Sequence, residues 1–213
     1  MRTIPHPGPP APARADILPC EAVSLRLTLR AGLPLTEAIV TAFAAQGFAY
    51  GYLRLEGVAL APLAYVMPAP APGDGHAAWY SATHTQPQAR IATGGAHLGL
   101  REGRAFLHCH ALIASGEMGH VLCDDSRGAE DVSVQAWGLR GAGLVAQEDS
   151  ETQFTLFRPA PLGQPARTTA WLVTLRPNQD IGAAVLALAR AHQITHARVD
   201  VIGSLVGREF ADS

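Results

Sequence analysis

Three of the nine histidines fall within thirteen residues, at His108, His110 and His120. His108 and His110 stand two apart in the apolar run Phe106 to Ala114. On a strand, a period of two puts both imidazoles on one face and turns Cys109 to the other. The stretch from Ser115 to Gly119 reads as a turn that returns His120 on an adjacent strand. Three neutral imidazoles on one patch of sheet suit zinc or another divalent metal, with a position left for water or a small-molecule ligand. Whether His120 faces the same way depends on the hairpin register. Glu117, within the turn, could be a fourth ligand, could orient an imidazole, or could simply face solvent.

Neighbouring expected strands carry His97, Trp79, Tyr80, His84 and Trp137, which are candidates to line a pocket around the histidines. For each, a core aromatic or a surface histidine is the plainer reading. Other reactive arrangements are weaker. Ser115 lacks the Gly-x-Ser-x-Gly setting of a nucleophile elbow. Cys109 points away from its flanking histidines. Gly94 and Gly95 read as a bulge or bend rather than a phosphate cradle, because no helix follows them.

Composition narrows the classes further. The 213 residues are 48% hydrophobic and 16% charged, as in a soluble globular protein. A net charge of −2 argues against bulk attraction to phosphate backbones or anionic lipid. All sixteen basic residues are arginine, so Schiff-base and phosphate-loop lysines are excluded. Cys20, Cys109 and Cys123 form no Cys-x-x-Cys and fit a reducing compartment, with cytoplasmic location the expectation. The proline-rich start is no secretory signal, and no apolar run approaches the ~18 residues of a membrane span.

The elements that must position the histidines read as one helix among many strands. Val23–Leu29 alternates as a strand, Pro34 opens a helix, and Leu35, Ala38, Ile39, Ala42 and Phe43 follow at helical spacing before Gly47. Strands are expected at 48–55, 61–67, 77–83, 88–100, 105–113, 119–123, 132–139 and 153–157. This pattern predicts an α+β fold with a mostly antiparallel sheet. Residues 1–19 are expected to form a flexible Pro-rich arm, 20–157 a complete domain, 158–167 a linker and 168–213 a partial second domain. The last expectation rests on a repeat. At an offset of 146 (175 − 29), Leu29 matches Leu175, Leu35 matches Ile181, Leu53 matches Val199 and Gly57 matches Gly203, without gaps. On that offset a second histidine element would fall near 254–266, so a truncated product is expected.

The whole arrangement resembles the PPC domain of plants and prokaryotes. The resemblance rests on Leu29-Arg30-Ala31-Gly32, its counterpart Leu175-Arg176-Pro177-Asn178, Gly203-Ser204, the run from Gly103 to His110, and Met118-Gly119-His120. It spans roughly 22–157 and, at half length, 168–213. Ala105 stands where the family usually has proline, and one glycine rather than two precedes His120. The resemblance implies an α+β fold assembled as a trimer, with His108, His110 and His120 forming a zinc site. In plants the domain accompanies an AT-hook. This chain has neither the Arg-Gly-Arg-Pro core of a hook nor a basic patch, so DNA is not an expected partner. The leading expectation is a metal-binding homo-oligomeric module. A metal-dependent enzyme acting on a small polar substrate is the alternative. A cupin would want Glu three or four residues after His110, where Ala114 and Ser115 stand.

Overall fold

Alternating apolar and polar residues build most of this chain into strands, and a computed structural model describes residues 3–203. In order the elements are β1 (Ala15–Leu29), α1 (Leu35–Ala44), β2 (Gly51–Arg54), β3 (Ala59–Leu60), β4 (Leu63–Val66), β5 (Pro68–Ala69), β6 (Trp79–Tyr80) and β7 (His84–Gln86). They continue with β8 (Ala89–Arg101), β9 (Arg104–Ile113), β10 (Met118–Val121), β11 (Val132–Arg140), β12 (Ala142–Glu148), β13 (Thr155–Pro161), β14 (Ala170–Leu175) and α2 (Ile181–Ala191). The fold class is α+β. Its main sheet runs β14-β1-β11-β2-β8-β9-β10-β4-β7, with β3, β12 and β13 attached beside this path and β5 and β6 paired separately. Pairing is antiparallel throughout the described residues except where Val145 of β12 meets Leu100 of β8.

Helix α1 decides which face of the sheet is core. It buries Leu35, Ala38, Ile39 and Phe43, one side of a 3.6-residue period. These pack with Leu53, Ile91, Leu98, Cys109, Ile113 and Ala136 from the strands. The first helical N–H groups need acceptors outside the helix. Leu35 N–H donates to the Ser126 carbonyl at 2.8 Å, and Thr36 N–H to that of Cys123. Because Cys109 enters this core, its neighbours His108 and His110 must emerge on the opposite face.

Several elements differ from the sequence expectation. Residues 15–19, placed in the arm, are strand: β1 overshoots β11 and pairs Ala15–Cys20 with β14. The residues before it are tied down as well, with Gly8 N–H on the Glu151 carbonyl and Ile4 bonded to Asn178. Residues 158–161, placed in the linker, complete β13 despite Pro159 and Pro161. Those prolines sit opposite Leu144 and Ala142 on a strand paired with β12 alone, where missing donors are tolerated. Strand β12 itself is an addition. In the second half β14 and α2 form, but among the described residues no strand forms around Val199–Val201, where the repeat expects one. In the first half the matching strand β2 lies between β11 and β8. Residues 197–203 have no such neighbours, and Val199 and Val201 stay exposed. Residues 204–213, including Ser204, lie outside the described residues. Among the described residues, no helix is long and apolar enough to cross a membrane.

Candidate metal centre

The β9–β10 hairpin sets the histidine geometry. Its register places His120 directly across from His110, and Met118 across from Leu112. Directly paired residues share a face, so His108, His110 and His120 all project from the side away from α1. Their ring centroids are 4.8, 5.1 and 5.2 Å apart. One ligand-capable nitrogen from each lies within 4.8 Å of the others. His108 Nε2 and His110 Nε2 approach to 3.0 Å. Tetrahedral zinc with ~2.0 Å bonds spaces its nitrogens about 3.3 Å apart, so the widest pair needs to close by about 1.5 Å at most.

Protonation favours ligation. Burial, with help from the neighbouring imidazoles, pushes His108 down to about 3. Burial and His120 push His110 down to about 4, and burial lowers His120. All three rings are therefore neutral at pH 7, the form that binds metal. The donor set fits zinc: nitrogen ligands, three in number, with a coordination position left over.

The surrounding face is ordered in two rows of cross-strand neighbours. One runs His120, His110, Gly95, Arg54, and the other His108, His97, Tyr52, Trp137. Two glycines of β8 make room on this face. A Cβ on Gly95 would lie 2.5 Å from Tyr52 Oη, so the phenol covers that position. A Cβ on Gly99 would lie 2.9 Å from the Phe157 ring, which also packs on Phe106 and stands 6.3 Å from His108. The bulge expected near Gly94 falls instead between Ile91 and Thr93.

The sequence candidates separate accordingly. Tyr80 meets His120 edge-on at 6.0 Å, and Trp79 sits beside Tyr80. His97 lies across from His108, half-buried, with its buried Nδ1 unpartnered. Trp137 is two strands further along the row, stacked on Tyr52. Arg198 lies over its ring at 4.3 Å, and Asp200, which bonds Arg198, also binds Arg54 at 2.7 Å. His84 stacks on Tyr65, away from the cluster. Glu117 occupies the turn before β10 and does not join the three clustered ligands. Tyr52, Phe154 and Phe157 are the residues sequence reasoning missed. Only the two glycines of β8 hint that bulky neighbours lie over that strand.

Structural neighbours of this fold include a PPC protein. That protein, from Pyrococcus horikoshii, is 12% identical over 67% of this chain and 96% of its own length, with a TM-score of 0.47. A metal-containing protein from Archaeoglobus fulgidus is 17% identical over 65% of this chain and 95% of its own, with a TM-score of 0.49. No family model and no curated protein matches the chain.

Two clefts lie elsewhere on the molecule. One of about 240 Å³ is lined by Asp16, Asp149, Arg158 and Arg176, and another of about 310 Å³ by Leu33, Ala38 and Ala42. The first is a mutually neutralised ion cluster. Arg158 and Arg176 each bind both Asp149 and Asp16.

Proposed function

We propose that this chain is a metal-binding module in which His108, His110 and His120 hold one divalent ion, zinc by donor type. The convergence of three neutral imidazole nitrogens from two paired strands carries this reading. Each ligand is held by its strand register, so little ordering is left to accomplish when the ion arrives. A bound zinc would supply Lewis acidity and a water of lowered pKa. The chain's own part is to fix the three rings, to keep them neutral by burial, and to wall the site with Tyr52, Tyr80 and Phe157. A metal-dependent enzyme is a second reading, favoured by one point: three protein ligands leave a coordination position free, as catalytic zinc sites do.

The same reading includes a homo-trimer, carried over from the PPC resemblance, and a cytoplasmic location, which suits three free buried thiols. It also takes β14 and α2 as the start of a second copy. β14 ends 146 residues after the end of β1, and α2 starts 146 residues after the start of α1.

The deciding experiment is metal analysis of purified protein. Near-stoichiometric zinc is expected in the wild type and little in a His108→Ala/His110→Ala double variant. Equal metal content in both would end the proposal.

A further inference from the structure

The triad is edged on one side by an aromatic wall. β6 is only Trp79 and Tyr80, paired with a two-residue β5, yet both rings stand out at 39% and 52% exposure. Phe154 closes the wall: it lies 5.6 Å from Trp79 and 6.3 Å from Tyr80, and His76 packs on it at 5.0 Å. Tyr80 then leads directly to His120.

Charge tells what would complete this surface. A divalent ion on three neutral imidazoles keeps both its positive charges. Among the described residues no carboxylate joins the three histidines. An anionic ligand is therefore favoured over a neutral one at the open position. A ligand that also covered Trp79, Tyr80 and Phe154 would have to be flat and apolar, because offset and edge-to-face ring contacts favour aromatic partners.

Building on the metal reading, we propose that the site binds a small planar aromatic carboxylate. Its carboxylate takes the open position on the ion, and its ring lies against the wall of Tyr80, Phe154 and Trp79. The hairpin between β12 and β13 supplies Phe154, so this segment is what makes the site selective rather than a bare anion trap.

The test uses the protein loaded with Co²⁺, whose visible bands report both tetrahedral binding and anion entry, titrated with benzoate, cyclohexanecarboxylate and acetate. Benzoate should bind at least about tenfold more tightly than acetate and measurably more tightly than cyclohexanecarboxylate, the advantage expected of one or two good ring contacts. In Phe154→Leu and Tyr80→Leu that advantage over acetate should fall to about threefold or less, and Phe154→Leu should leave Co²⁺ affinity unchanged. Equal affinity for the three acids in wild-type protein overturns the proposal without needing any variant. So does a benzoate preference that survives both substitutions. Absence of tetrahedral Co²⁺ bands refutes the metal reading itself, and the aromatic-acid proposal falls with it.

Discussion

Asp149 is the residue whose loss should be felt most widely outside the core. Its side chain is 1% exposed. It accepts hydrogen bonds from Thr152 N–H at 3.0 Å, Thr152 Oγ1 at 2.6 Å and Arg158 at 2.6 Å, and another from Arg176. Through these it ties β13 and the start of the α2 segment to the turn that carries Phe154. Asp149→Asn keeps the shape and removes the charge, leaving the buried Arg158 and half-buried Arg176 guanidiniums to share Asp16. Breaking a buried pair costs about 3–5 kcal/mol. For a chain of this length each kcal/mol moves Tm by about 2–4 °C, so a drop of about 6–20 °C is expected. The control is Glu130→Gln, which breaks the exposed Arg90–Glu130 pair and should cost under about 1 kcal/mol.

The pH dependence follows in sign. Burial pulls the Asp149 carboxyl upward, but Thr152 and the two arginines outweigh it and hold it below the usual carboxylate range. A depressed carboxyl contributes stability that is complete above its unfolded value, about 3.9, and is lost as pH falls through the lower folded value. The gap between wild type and Asp149→Asn should therefore be full at pH 7 and shrink below about pH 4. Thermal melts from pH 7 to pH 2 measure both. A Tm drop no larger than that of Glu130→Gln, or a gap constant down to pH 2, would refute the argument.

Three further outcomes are expected. His110→Ala should weaken zinc binding by about 100-fold or more, taking about 3 kcal/mol per ligand from the range seen in structural zinc sites. In competition titrations, His84→Ala, outside the cluster, should leave zinc affinity as it was. Gly99→Val should cost about 1–3 kcal/mol, read by urea denaturation, because its Cβ would sit 2.4 Å from the Leu144 carbonyl oxygen. Light scattering should give the mass of about three chains; a clean monomer at micromolar concentration would count against the trimer.

The α+β class, helix α1 and the histidine hairpin were legible because each follows from a local period: 3.6 for Leu35 to Phe43 and two for His108 and His110. Strand β12 was not. Ala142, Gly143 and Leu144 are all buried, so the stretch shows no alternation. Prolines 159 and 161 look like punctuation until the one-sided pairing of β13 is known. The aromatic wall was half visible: Trp79 and Tyr80 stood out as residues, but Phe154 reaches them only through a turn fixed by Asp149 and Glu151, about 75 residues further on. The missing strand near Val199 marks the limit of reasoning from repeats, since a strand is made by its neighbours and not by its own pattern.

The divided pairing of β1 also bears on how the chain is made. Its first half waits for residues 150 to 160 positions later, as Cys20↔Ala170 and Ala15↔Leu175 show. At 5–20 residues per second, a ribosome takes about 8–30 s to deliver them. Throughout that interval the nascent chain carries an open strand edge, guarded by Pro19 and the charge of Asp16, which discourage pairing with another growing chain. Cys20, 1% exposed once folding is complete, would report the wait. In chains stalled before β14 it should react with a thiol reagent, and in released protein it should not.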